Sequence, residues 1–220
     1  MKRLFVTLLL ITPLFAGCGF HHDQVVGSGQ RQRQKRDISA FSSISTEGAY
    51  EIQVVSQQAL GLEIEADDNI LPLITTEVNA GVLRIRSTRS FSVNHPIVLK
   101  ITTPDIEGIS ASGAGSVEVS GLKNERFQID SSGAPSIRVS GETKKVEIEA
   151  NGAGKVDAHR LRASIGSVEA NGVAKIEVNA TDELNVSVSG PASVTYSGDP
   201  KLNKTVNGPG SVQRRASEGT

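Results

Sequence analysis

From residue 106 onward, apolar side chains return at every second position after each of six Ser-Gly or Asn-Gly pairs: Val117 and Val119, Ile137 and Val139, Val156 and Ala158, Ile176 and Val178, Val194 and Tyr196, then Val212. Alternation of this kind is the signature of a strand with one buried face. A second alternating stretch precedes each pair, as in Phe127-Gln-Ile-Asp130, Val146-Glu-Ile-Glu149, Val168-Glu169 and Leu184-Asn-Val-Ser187. Aligned on the pairs, these stretches place Ile129, Ile148, Val168 and Val186 in one internal column. The pairs are Ser112-Gly113, Ser132-Gly133, Asn151-Gly152, Asn171-Gly172, Ser189-Gly190 and Asn207-Gly208, spaced 18 to 20 residues apart. Glycine and asparagine tolerate the left-handed backbone of a sharp bend, so each pair reads as a corner between strands.

A period near 19 is too short for a two-helix repeat and fits one coil of a solenoid. Two strands and a variable third side per period predict an all-β chain: a right-handed parallel β-helix (β-solenoid) with about 19-residue coils. A leucine-rich horseshoe would need Leu at most core positions, and the Gly-Gly-x-Gly-x-Asp calcium nonapeptide is absent from the sequence.

The stretch from 38 to 103 is strand-like but less regular. Glu47 to Val54 is a degenerate version of the later phrase, and Leu60 to Ala66 alternates as a half-buried strand does. Asp67-Asp68-Asn69 marks a turn, Asn79-Ala80-Gly81 a hairpin corner before Val82–Ser87, and Ile97–Thr102 a further strand closed by Pro104. Residues 70–78 fit a short helix or a strand equally well.

The N-terminus carries different chemistry. Lys2 and Arg3 precede a short apolar run from Leu4 to Leu14, too short to span a bilayer and suited to a secretory signal. The run ends in Leu14-Phe15-Ala16-Gly17-Cys18, which resembles the lipobox of bacterial lipoproteins. That resemblance implies cleavage before Cys18 and acylation of its sulfur and amino group by palmitate-type chains. Gly19, where an Asp would favour inner-membrane retention, points to the outer membrane in a Gram-negative cell. The expected organisation is a signal peptide (1–17), a lipid anchor and flexible tether (18–37), the solenoid (38–214) and a polar tail (215–220). Arg31, Arg33, Lys35 and Arg36 cluster at the end of the tether, where they are either solvated or apposed to anionic head groups.

Composition narrows the function. Aromatic residues make up 4% of the chain and Trp is absent, so the core must be layered Val, Ile, Leu and Ala. A net charge of −1 gives no footprint for nucleic acid. Cys18 is the only cysteine, which excludes an intramolecular disulfide and, once acylated, a thiol nucleophile.

The order of a Phe41-Ser-Ser-Ile44 opening, a Gly48 phrase, a paired-strand stretch, the Ile101-Thr-Thr-Pro-Asp105 strand end and the Ser/Asn-Gly-Ala-Gly coils resembles the auto-transporter adhesin head GIN domain family. The resemblance covers roughly residues 38 to 214. It implies a secreted or lipid-anchored bacterial β-helical protein and transfers no catalytic residue.

Stacking also aligns outward residues. Asp130, Glu149 and Glu169 form an acidic column that is a candidate for a hard cation such as calcium; as exposed charges at high dielectric they equally form a solvated ladder, and no metal is expected. Ser112, Ser132, Asn151, Asn171, Ser189 and Asn207 form a polar ladder whose expected work is structural. His21, His22, His95 and His159 lack partners at metal-ligand spacing, and no nucleophile elbow, zinc-helix or phosphate-loop motif occurs. The chain therefore reads as a non-enzymatic, cofactor-free envelope lipoprotein whose partners are the membrane and a surface glycan or protein. The alternative is a polysaccharide-binding or polysaccharide-cleaving β-helix.

Overall fold

The computed structural model describes residues 24–216. Its strands are β1 (Val25–Val26), β2 (Arg31–Lys35), β3 (Ser43–Gly48), β4 (Tyr50–Ser56), β5 (Gly61–Asp67), β6 (Ile74–Asn79), β7 (Val82–Ser87), β8 (Phe91–Ser92), β9 (Ile97–Thr103) and β10 (Gly108–Gly113). The coils then follow as β11 (Ser116–Gly133), β12 (Ser136–Gly152), β13 (Lys155–Gly172), β14 (Lys175–Ser189), β15 (Ser193–Ser197), β16 (Lys201–Asn207) and β17 (Ser211–Arg214). One 3-10 turn, Leu71–Leu73, interrupts them, and no described helix is long and apolar enough to cross a membrane.

The coils stack in parallel as a β-solenoid, and corner sits on corner: Gly113 on Gly133, Gly133 on Gly152, and Gly152 on Gly172. The internal column expected at Ile129, Ile148, Val168 and Val186 is continuous, and Ile109 and Ile44 extend it downward. On the other inner side Leu99, Ile52, Val117, Ile137, Val156, Ile176, Val194 and Val212 stack in one file. Nearly all are buried, as alternation into a dry interior requires.

The variable third side is more regular than the sequence suggests. β11 to β13 run through it as single strands of 17 or 18 residues, bending at shifts in register such as that between Val119 and Leu122. Leu122, Leu161, Ala163 and Ala180 close the interior there.

Beneath the first full coil the chain inserts an antiparallel excursion. β6 and β7 form a hairpin whose turn residues Ala80 and Gly81 have φ of 50° and 77°, the left-handed pair that a two-residue turn demands. β7 lies parallel under β3 and β9 under β4, while β5 runs antiparallel to β9. Residues 70–78, open from sequence, are the 3-10 turn followed by β6.

The tether expected over 18–37 needs correction from Gln24 onward. Arg31–Lys35 is a strand, paired antiparallel with β5 from Arg31↔Asp67 to Lys35↔Glu63. β1 pairs with β8, Ser28 Oγ donates to Asp68, and Asn69 Nδ2 donates to the Val26 carbonyl at 2.8 Å. Arg36 donates to the carbonyls of Ile74 (2.6 Å) and Leu71 (2.9 Å) and to Thr76 Oγ1 (3.1 Å), and its burial lowers its pKa. The basic cluster is therefore engaged by its own domain. Arg33 is bonded to Glu65, a hydrogen bond that holds the Glu65 carboxyl below its ordinary range.

Candidate functional site

The corners follow directly from glycine chemistry. Gly172 has φ of 113°, and a Cβ there would lie 2.6 Å from the carbonyl oxygen of Gly152 in the coil below. Both the backbone conformation and the close stacking thus require glycine. Amides just past the corners bond down the stack, with Ala134 donating to Gly113 and Val173 to Gly152, each at 2.8 Å.

The polar ladder beside the glycines is in register along its length. Its side chains join in part. Asn171 Nδ2 donates to Asn151 Oδ1 at 3.0 Å, and Ser112 Oγ donates to the Thr46 carbonyl at 3.3 Å. Among the described residues no such side-chain bond joins Ser132, Ser189 or Asn207 to a neighbouring coil.

Asp130, Glu149 and Glu169 also stack in register. Each is held by an amide: Gln128 donates to Asp130, Asn151 to Glu149 (2.7 Å) and Asn171 to Glu169 (3.2 Å). Their oxygens do not converge as a set of three ligands; among the described residues the group that does is Asp157, His159 and Glu177. The column is built as a hydrogen-bonded ladder.

His159, expected from the sequence to lack a partner at metal-ligand spacing, has partners across the fold. Val156 and Ala158 point inward, so Asp157 and His159 share the outer face two residues apart, and stacking puts Glu177 directly above Asp157. His159 Nδ1 and an Asp157 oxygen are in hydrogen-bond contact. Cations surround them: Arg215 reaches Glu177 at 3.0 Å, Lys175 reaches Glu177 at 3.9 Å, Arg138 reaches Asp157 at 3.9 Å and Lys155 reaches it at 4.0 Å. Partial burial alone would raise the Asp157 carboxyl, but the His159 hydrogen bond and the His159 and Lys155 charges outweigh it and the net shift is downward. Two carboxylates among four cations are already neutralised, so the cluster is a salt-bridge network that joins β12, β13, β14 and the segment just after β17, and it offers no net negative charge to a metal ion. The alternation Asp-Ala-His was readable in sequence; the contribution of the next coil was visible only after stacking.

The remaining outer surface carries only shallow, open grooves, among them one of about 680 Å3 over Ser167, Glu169, Asn185, Ser187, Asn203 and Thr205. A shallow groove of about 510 Å3 lies where the docked segment meets β9, lined among others by Lys35, Asp37, Leu60, Glu63 and Lys100. Tyr50 is 2% exposed and so presents no ring on which a sugar could stack, and burial with the nearby Glu47 charge pushes its hydroxyl up to about 12. Tyr196 is half-buried against the core. Cys18, His21 and His22 lie outside the described residues.

Structural comparison agrees with this architecture. A structure described as a putative adhesin from Bacteroides fragilis superposes with a TM-score of 0.70 at 23% identity, over 87% of this chain and 100% of that one. Another putative adhesin, from Parabacteroides distasonis, gives 0.58 at 20% identity over 88% and 100%. A protein from the same species described as a putative lipid binding protein gives 0.55 at 18% over 87% and 99%. At these identities the likeness establishes the fold. None of the curated proteins matches the sequence. A family model described as "putative auto-transporter adhesin, head GIN domain" matches residues 40–200, and the chain belongs to that family.

Proposed function

We propose that the chain is a non-catalytic binding module of the bacterial cell envelope, anchored through lipid on Cys18, with the outer membrane as its site. Family membership supports a binding role. The observation that carries it is the outer face of β9, β4 and β11–β15, a continuous hydrogen-bonded surface on which Asp157 and Glu177 are paired with neighbouring cations instead of being aimed into a cavity. Such a surface suits an extended ligand, a glycan chain or a protein, that meets many coils at once.

Docking of the chain from Gln24 onward gives the anchor a specific consequence. Only residues 19–23 would separate Cys18 from the docked segment, a reach of about 20 Å when extended. The antiparallel end of the solenoid would therefore stand near the bilayer, with the later coils directed away from it. The anchor is tested by Cys18→Ser, which should release the protein from membranes or leave it unprocessed; unchanged fractionation and mass would contradict it. A glycan array run beside a reducing-sugar assay tests the activity. Binding without new reducing ends is the expected result, and turnover would establish the polysaccharide-cleaving alternative.

A further inference from the structure

The two ends of the stack are finished differently, and the C-terminal end exposes two strand edges. β16 pairs with β14 on one side, β17 pairs with β15, and their other edges face no described strand. Lys204 occupies the level above Val186 in the column of Ile129, Ile148, Val168 and Val186, where each coil below has an apolar residue. Arg214 likewise follows Val178 and Tyr196. Arg214 has Asp199 at 3.3 Å, whereas Lys204 has no ion pair among the described residues. Beside it Leu202 is half-buried and Val206 is 38% exposed, so the last layer of the core is incompletely covered.

An open edge with partly covered apolar side chains is a template for another strand, and an exposed lysine at the top of an inner column selects what adds there. Neither β16 nor β17 contains an Asp or Glu, and both carry cations: Lys201, Lys204 and Arg214, with Arg215 just beyond. A second copy fits poorly. Two C-terminal ends would oppose like charges; the antiparallel end offers β2 with Arg31, Arg33 and Lys35 at one edge, and at the other β6, whose single charge, Glu77, is already paired with Arg86 at 3.6 Å. The complementary occupant is an extended segment that places a carboxylate against Lys204 and apolar residues over Leu202 and Val206. We propose that β16 is a docking edge for an acidic, alternating strand of a partner protein, with Lys204 as the residue that sets its charge preference.

This surface is distinct from the outer-face site and independent of lipid anchoring. The test uses the full chain with synthetic peptides of about nine residues that alternate Val with Glu, or Val with Lys, monitored by fluorescence anisotropy and by amide exchange. The Glu peptide should bind in a salt-sensitive manner, protect amides of Lys201–Asn207, and lose at least about tenfold in affinity in Lys204→Glu, which should gain affinity for the Lys peptide. Lys204 is exposed, so the variant should fold, and an unchanged melting temperature verifies this. Lys123→Glu, an exposed change of the same charge far from β16, should leave binding unchanged. No binding, binding of both peptides alike, binding abolished by the Lys123 change, or protection elsewhere than Lys201–Asn207 would each overturn the proposal. So would self-association of the unmodified chain through this end.

Discussion

The coils from β11 to β14 and the antiparallel excursion below them bury similar residues by opposite means. In the coils the apolar positions beside each corner are repeated one level up, so a single eight-residue phrase specifies corner, strand and core column at once; away from the corners the repeat loosens, with Leu122 on Gly141 and Val146 on Gly166. Below β3 and β4 nothing repeats: the interior under Ile44 and Ile52 is closed by β7, β9 and β5, and the outer edge of β5 is covered by β2, twenty-six residues or more away in sequence. A repeat can grow but cannot end itself. One end is closed by an irregular strand assembly; at the other, among the described residues, the strand edges stay open and cations stand at the top of two core columns.

The largest effects should come from the repeated core. Ile137→Ala and Ile176→Ala, at fully buried positions, should each cost about 2 to 4 kcal/mol through lost burial and a cavity. Arg138→Ala, the exposed neighbour, should cost under about 0.5 kcal/mol because its ion pair with Asp157 is long and solvated. Chemical denaturation checks both, and equal losses would mean the alternation does not define the interior.

Loss of a corner glycine should come next and should separate the two regions. Gly172→Ala meets both a positive φ and the Gly152 carbonyl, so about 2 kcal/mol or more is expected. Gly29 in the docked segment also has positive φ, at 78°, but a Cβ there meets open space, and Gly29→Ala should cost only the backbone term of about 1 kcal/mol. If the two substitutions cost the same, stacking adds nothing at the corners.

Arg36→Met removes three hydrogen bonds from a charged donor to the excursion and should cost about 2 kcal/mol. Its sharper readout is local: protease should cut within 24–36 faster in the variant, while β12 to β14 stay protected.

The regular half was legible because its period is written in residues that only a bend tolerates. The irregular half was not. Arg31-Gln-Arg-Gln-Lys35 has no apolar face to announce a strand, since as an edge strand it buries little and takes its stability from backbone pairing with β5. Its charges suggested a tether, and only the distant Glu65 and Asp67 explain them. The acidic column was placed in the correct register, but the amides that hold it were invisible without side-chain geometry. His159 was missed because its partners lie on the same strand at i−2 and on the next coil, a pattern unlike any sequential metal motif.

The smallest effect concerns that cluster. The folded-state pKa of Asp157 lies below its ordinary 3.8, so its contribution is complete above that value and is lost as pH falls through the lowered one. Asp157→Asn should be slightly less stable than the parent at pH 6, and the difference should shrink below about pH 3.8. Thermal melts across that range check it; a difference that grows on acidification would reverse the assignment.

Hydrogen exchange along the intact chain tests the contrast between the ends most directly. Amides of Arg31–Lys35 that pair with β5 should exchange slowly, β12 to β14 slowest of all, and β16 and β17 fastest among the strands. Free-chain exchange at Arg31–Lys35, together with strong protection of Lys201–Asn207 in the isolated protein, would contradict a solenoid closed at its first end and, among the described residues, open at its last.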